Sequence, residues 1–246
     1  MKYLIGTSTD PYWNLAREEF MLKQKRDEDY LLLWQNENSL ILGRHQSAQA
    51  ELNLEAAKQY GTHIVRRITG GGAVYHDLGN LNFTFVTDQD KKNSFLDFLM
   101  PMLGFLKSTG AEVSFNDRND MELYDHEREA FLKISGNAQA LDQNRILHHG
   151  TLLICSDLER MSQLLTPHPE KLSRHQVASV QSRVGNLARL MGKDLSPLEM
   201  AEDFVLYLSE KEQIPMEAFE LTDAEEAEIM ELVTGKYRTE QWNFEY

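Results

Sequence analysis

Three consecutive glycines, Gly70-Gly71-Gly72, constrain this chain more than any other stretch. Arg66-Arg67 precede them, and Ala73-Val74-Tyr75-His76-Asp77-Leu78-Gly79-Asn80 follow. A glycine run adds nothing to a core and loses more backbone entropy on folding than any other residue type. It is expected where the backbone adopts geometry closed to other residues, or where a ligand lies against main-chain N–H groups. Two guanidinium forks beside it suit carboxylate or phosphate oxygens. The physical expectation is an anion cradle for a nucleotide phosphate. A glycine-rich hairpin with surface arginines accounts for the same residues equally well. The stretch lies between an expected strand His63–Arg67 and an expected strand Asn82–Val86. It therefore fits neither a P-loop nor a GxGxxG dinucleotide turn.

The whole chain narrows the classes. Its 246 residues suit one large domain. Lys and Arg number 25 against 39 Asp and Glu, a net charge of -14. That argues against non-specific nucleic-acid binding, which needs a basic surface, but leaves room for a basic pocket. A single cysteine, Cys155, fits a reducing cytoplasm. The apolar run at the N-terminus is too short for a signal peptide, and no stretch approaches a membrane span.

Periodicity and capping signals sketch the elements. Asp10-Pro11 opens a helix whose Tyr12, Leu15, Ala16 and Phe20 form a core-facing stripe. Tyr30–Gln35 and Ser39–Gly43 read as strands, joined by Asn36-Glu37-Asn38 into a hairpin. Ser94–Thr109 is an apolar helix that Pro101 should kink or split. Ser196-Pro197-Leu198-Glu199 and Thr222-Asp223-Ala224-Glu225 are capping boxes that open helices Pro197–Glu210 and Asp223–Val233. Thr166–Val177 reads as a long polar loop. Many short strands with irregularly placed helices indicate an α+β fold with a mixed or mostly antiparallel sheet flanked by helices.

Several residues carry possible chemistry. Asn119 and Asp120 sit in a polar cluster that reads first as a turn; Asp120 could instead hold a metal-bound phosphate or a lysine. Lys133 stands in an apolar strand, where alternation to solvent is the simple account, and Ser135-Gly136-Asn137-Ala138 after it are small enough for close ligand approach. His148, His149 and Cys155 match no zinc spacing. Gly150 marks a bulge or a close approach within its strand. Cys155 is expected to pack as a small buried hydrophobe.

Taken together and in order, these blocks resemble the lipoate–protein ligase family. The resemblance rests on Arg66-Arg67 with the glycine stretch to Asn80, on Arg118-Asn119-Asp120, and on Lys133-Ile134-Ser135-Gly136-Asn137-Ala138. His148-His149-Gly150-Thr151-Leu152-Leu153 and Ser179-Val180-Gln181-Ser182-Arg183-Val184 complete it. It implies a single catalytic domain over 1–246, with the fold shared with biotin–protein ligases. The implied reaction joins lipoate to ATP, with Mg²⁺, and passes the lipoyl group to a lysine of a carrier domain. The carriers would be 2-oxoacid dehydrogenase acyltransferase subunits or the glycine-cleavage carrier protein. By the same resemblance Lys133 meets both the lipoate carboxylate and the α-phosphate, and Arg67 contacts nucleotide. Gly70, Gly71, Gly72, Ala73, Val74, Tyr75, His76 and Asn80 would wrap the adenylate. Asn119, Asp120, Ser135, Gly136, Ala138, His149, Gly150 and Thr151 would complete the pocket, with Asp120 as a possible Mg²⁺ contact.

Two rivals remain open at this level. Octanoyl- or lipoyl-transferases of the same fold use a cysteine in positions this chain leaves without one, although transfer from a ready-made adenylate needs none. A binding module without adenylation is the other. Residues 236–246, with Gln241-Trp242-Asn243-Phe244, resemble the linker to a small accessory domain that some family members receive as a separate chain.

Overall fold

The computed structural model describes residues 1–91, 94–116, 120–166 and 184–245. Asn119 and the Ser179–Arg183 block lie outside the described residues, as does most of the expected loop after Thr166. The chain opens with strand β1 (Lys2–Ile5) and helix α1 (Pro11–Gln24). The Asp10 carboxylate accepts from the Tyr12 and Trp13 amides, and Pro11 fills a first-turn position where a missing N–H costs nothing.

The main sheet has six strands. Its order is β10 (Asn137–Asp142), β11 (Arg145–Leu153), β6 (Asn80–Asp88), β2 (Tyr30–Trp34), β1, β12 (Glu217–Ala218). β1 runs parallel to β2 and β12, and the other pairs are antiparallel. The expected mixed α+β architecture is therefore what the chain adopts. A second sheet places β3 (Ser39–Leu42) between β4 (His63–Arg66) and β5 (Val74–His76). A third, antiparallel, holds β7 (Val113–Phe115), β8 (Met121–Asp125) and β9 (Ala130–Ser135).

The expected hairpin between Tyr30–Gln35 and Ser39–Gly43 does not form. All five residues of β2 are buried, so both its edges take strands of the main sheet, while β3 belongs to the second sheet. Asn36 fixes the crossing. Asn14 Nδ2 donates to Asn36 Oδ1 at 2.9 Å, and Asn36 Nδ2 lies 3.2 Å from His76 Nδ1. Asn14 itself donates to the carbonyls of Ser8 and Gln35, which sets the direction of this chain of amides.

Both faces of the main sheet are covered, which accounts for the apolar strands. On one face Leu31, Leu33, Phe83 and Phe85 pack under α4 (Leu96–Ser108) and α7 (Pro197–Glu210). Here α4 stays one helix despite Pro101. Apolar anchors on both sides of the proline, Leu99 and Met102 among them, hold it to the sheet. On the other face Leu32, Trp34, Val86 and Leu147 meet α1, with α8 (Asp223–Leu232) and a π-turn at Val233–Tyr237 behind it. The remaining helices are α2 (Ala48–Glu51), α3 (Leu54–Gln59), α5 (Leu158–Leu164), α6 (Leu187–Met191) and α9 (Glu240–Phe244). Strand alternation sends the adjacent His148 and His149 to opposite faces. His148 stacks on Phe98 with ring centroids 4.7 Å apart.

α1 is buried from both sides and so carries buried charge. Arg17 is 3% exposed, lies against Gly6, and leaves Nε and Nη2 without a partner. Burial lowers its pKa to about 10. A buried guanidinium with unmet donors opposes folding. Arg17→Met should raise the unfolding free energy by about 1–4 kcal/mol, read from urea denaturation at pH 7. A drop in stability would mean that the guanidinium contributes favourably.

Candidate active site

The three sheets and α1 enclose one cleft of about 350 Å³. The main sheet supplies its floor through Trp34, Asn82, His149 and Thr151. These come from adjacent strands in register, with Asn82 opposite both Trp34 and Thr151. Leu15 of α1 closes one side, and Ile41, Val74 and His76 of the second sheet face it. The opposite end is polar, with Asp120, just before β8, and Lys133 of β9.

The glycine loop forms the rim between them. Arg67 is 5% exposed, and main-chain carbonyls hold its guanidinium. Nη1 donates to Ile41 O at 3.1 Å, and Nη2 to Gly70 O at 2.7 Å and Gly72 O at 2.9 Å. Burial lowers the Arg67 pKa to about 10. Gly71 has φ +91°, a conformation side chains rarely adopt, and a Cβ there would stand 2.8 Å from Arg67 Nη2. Gly43 is needed for a different reason. A Cβ on it would lie 1.8 Å from the Gly71 carbonyl oxygen, so the loop rests directly on the Gly43 backbone.

A buried polar relay joins the loop to the sheet. Trp34 Nε1 donates to Thr84 Oγ1 at 2.9 Å, and Thr84 Oγ1 donates to Glu18 Oε1 at 2.6 Å. His149 Nδ1 lies 2.9 and 3.0 Å from the two Glu18 oxygens, so Nδ1–H donates there. His149 Nε2 lies 2.9 Å from Thr69 Oγ1, which joins the relay to the start of the glycine loop.

Lys133 owes its position to strand alternation. Leu132 and Ile134 point into the core, and Lys133 turns to the cleft. Its Nζ lies 2.9 Å from Asp120 Oδ1. A Cβ at Gly136 would come within 3.0 Å of the same Nζ, so glycine there makes room for the ammonium. Gly150 is a close approach too: a Cβ would meet Asn137 Oδ1 and the Phe83 ring.

Of the residues singled out from sequence, the cleft gathers Arg67, Gly71, Gly72, Ala73, Val74 and His76 on the loop side. Asp120, Lys133, Gly136, Ala138, His149, Gly150 and Thr151 stand across from them. Four others do not line it. Tyr75 alternates away from Val74 and His76 into the cluster around Leu40 and Leu42. Asn80 is spent on Asn82, with Nδ2 3.0 Å from Asn82 Oδ1. Ser135 Oγ accepts from Asn137 Nδ2 at 3.3 Å, and the Gly70 carbonyl faces Arg67. Cys155 corrects the expectation of a buried thiol: it is exposed, past the end of β11. Among the described residues, no three His, Cys, Asp or Glu side chains gather as a metal site.

The sequence reading left out Trp34, Ile41 and Asn82, gave Asn137 only as part of a segment open to close ligand approach, and took Leu15 only as core. One signal was available. Asn80, Asn82 and Thr84 alternate with Leu81, Phe83 and Phe85, which marks a buried strand with one polar face.

An α+β domain whose cleft is apolar on one side and ends at a lysine beneath a glycine-loop rim has the shape and polarity to take an apolar chain with an anionic head. Residues 10–209 match the family model of the lipoyl protein ligase A/B catalytic domain, and the chain belongs to the lipoate–protein ligase family of enzymes. It is 37% identical to lipoate–protein ligase 1 of Staphylococcus aureus over 99% of its own length and 73% of that relative. Among solved structures it resembles a bipartite lipoate–protein ligase of Thermoplasma acidophilum, described with its E2 lipoyl domain. The TM-score is 0.82 at 29% identity, covering 98% of this chain and 94% of the other. It also resembles a lipoate–protein ligase A bound with ATP, with a TM-score of 0.80 at 28% identity, covering 98% and 95% of the two chains. Among the described residues, no helix is long and apolar enough to cross a membrane.

His76 gives the site a pH signature. Burial, with Arg67 and His149 nearby, lowers its pKa to about 3. The unfolded chain therefore binds this proton below the ordinary histidine value while the folded chain does not. Stability from His76 is complete above pH ~6.5 and falls as pH drops toward 3. In His76→Gln the slope of unfolding free energy between these limits should flatten by up to about 1.4 kcal/mol per pH unit. An unchanged slope in urea titrations at stepped pH would show that His76 does not carry it.

Proposed function

We propose that this chain condenses lipoate with ATP to lipoyl-adenylate and then transfers the lipoyl group to a lysine of a carrier domain. The observation that carries this is the placement of Lys133 at the polar end of the cleft, between the glycine-loop rim and the small Gly136–Ala138 segment. The apolar wall of Leu15, Trp34, Ile41 and Val74 suits the acyl chain, and the polar end suits its carboxylate. The relatives support both ligands, one being described with bound ATP and another with a lipoyl domain.

In the first step a carboxylate oxygen bonds to the α-phosphorus as the bond to pyrophosphate breaks. Two anions must meet, so a fixed cation between them stabilises the transition state more than the separated reactants. Lys133 supplies it on leaving Asp120. The rim adds backbone N–H groups, which suit phosphate oxygens. Asp120 is a single carboxylate at the cleft, and such a donor fits Mg²⁺ that arrives with the triphosphate and keeps phosphate and water ligands. There the ion would offset the charge of the leaving pyrophosphate. In the second step the carrier amine bonds to the acyl carbon, and AMP leaves. Cys155 does not line the cleft, which weighs against an acyl-cysteine route. The acceptors are carrier domains of 2-oxoacid dehydrogenase or glycine-cleavage systems.

Lipoate-dependent ATP–pyrophosphate exchange tests the reading. The purified chain should catalyse it, and Lys133→Ala should lose at least about a hundredfold in rate. Exchange that survives in Lys133→Ala would remove the lysine from the chemistry. Absent exchange with intact transfer from supplied lipoyl-adenylate would make the chain a transferase.

A further inference from the structure

The proposed reaction leaves one well-built feature without a role. The segment read from sequence as a linker remnant docks α9 on the strand that leads into the glycine loop. Arg66, fully buried, stands at the junction. Its main-chain N–H donates to Asn243 Oδ1 at 2.8 Å, Nε to Trp242 O at 2.8 Å, and Nη2 to Asn243 O at 2.9 Å. Trp242 Nε1 returns a bond to Arg66 O at 2.8 Å. Asn243 Nδ2 donates to Tyr237 O and Thr239 O, which orients the amide so that Oδ1 faces Arg66.

The other end of the guanidinium reaches toward the site. Arg66 Nη1 donates to the carbonyls of Gly43, Arg44 and Gln46 at 3.0, 3.0 and 2.7 Å. That turn is the seat of the glycine loop. Gly43 has no room for a Cβ under the Gly71 oxygen, and Arg44 N donates to Thr69 O at 2.8 Å. Arg67, the next residue, grips the Gly70 and Gly72 carbonyls.

We propose that Trp242 and Asn243 are positioning residues for the glycine loop: through Arg66 they fix the Gly43–Gln46 turn, and the turn sets where the loop amides stand. Neither residue lines the cleft. Of the acyl wall, Leu15 and Trp34 hang on α1 and the main sheet, and Ile41 and Val74 are held by the ladder of the second sheet, so the dependence is greatest at the loop. The effect on nucleotide rests on the function proposed above, whereas the placement of the loop does not.

The experiment uses the full chain with Asn243→Ala and the milder Trp242→Phe. The second removes the indole N–H bond to Arg66 O and keeps an aromatic ring under Lys236, whose Nζ lies 3.9 Å from the Trp242 ring centroid. Backbone amide exchange and ligand affinities are measured on wild type and both variants. Amides of Thr69–Ala73 should exchange about tenfold faster in Asn243→Ala and to a smaller degree in Trp242→Phe, with β6 unchanged. KM for ATP should rise about tenfold while the Kd for lipoate moves less than about twofold. Loop exchange equal to wild type in both variants would overturn the proposal. So would ATP and lipoate weakened alike with exchange raised throughout the chain, the mark of a simple stability staple. A wild type that binds no ATP would refute the proposed function, and loop exchange alone would then decide the positioning role.

Discussion

Two adjacent buried guanidinium groups, solvated by main-chain carbonyls, organise everything around the cleft. Burying an arginine costs several kcal/mol unless its donors find acceptors. Arg66 finds them on the Gly43–Gln46 turn and on Trp242 and Asn243, and Arg67 on Ile41, Gly70 and Gly72. A peptide unit is planar, with N–H and C=O on opposite sides. Carbonyls drawn inward to Arg67 therefore turn the following amides outward. The Ala73 N–H already meets a carboxylate, Glu51 Oε2, at 3.4 Å, which indicates the sign of charge this edge accepts. The arginines thus act on the loop chiefly by shaping its backbone, a less direct role than forks aimed at an anion.

α1 links this cradle to the rest of the fold through two successive carboxylates that face different ways. Glu18 turns to the sheet, where Thr84 and His149 hold it. Glu19 turns to the C-terminal elements and accepts from Lys23, Lys236 and the Tyr237 hydroxyl. Burial alone would raise the Glu19 pKa, but those hydrogen bonds outweigh it and the net shift is downward. The π-turn at Val233–Tyr237 brings Lys236 and Tyr237 to the same carboxylate. A widened turn of this kind is a local irregularity of the sort found at functional sites. One helix therefore touches both the relay under His149 and the segment that clamps Arg66.

How much of this was legible in the sequence depended on the range of the cause. Local causes were readable. Ser196 capping and Pro197 at the first turn mark a helix that runs over Pro197–Glu210 as expected, and the glycine triplet announced its own geometry. Side-chain alternation placed Lys133 outward, and the family resemblance supplied the cleft that it faces. Long-range causes were not readable. Asn36 looks like a turn former, yet Asn14 and His76 hold it, and no local signal separates a hairpin from a crossing between sheets. Tyr75 belongs to the glycine-loop motif but alternates away from the cleft, whereas Asn80 and Ser135, two residues from Asn82 and Lys133 in their strands, are taken up by bonds to Asn82 and Asn137. A motif marks a segment, whereas the strand period decides which of its residues reach the ligand. Glu18, inside Arg17-Glu18-Glu19, reads as solvated charge, and its burial follows only once α1 packs on the main sheet, where Thr84 and His149 meet it.

The local arrangement of charge at the cleft, more than the net charge of the chain, bears on the proposed reaction. Two anionic reactants approach a chain of net charge -14. At physiological ionic strength, charges beyond a Debye length of about 8 Å are largely screened, so the distant acidic surface contributes little at the site. Nearby groups decide. Arg67 and Lys133 line the cleft with Asp120, and Glu18 and Glu51 lie close to Arg67 behind it. Asp120 occupies Lys133 at 2.9 Å, which keeps the ammonium at the cleft and satisfies it. An incoming carboxylate and phosphate offer the lysine more negative charge than Asp120 does, in a drier place. In the proposed reaction the exchange of one anionic partner for two would be favourable only with both substrates present, which would tie the position of the lysine to the complete complex.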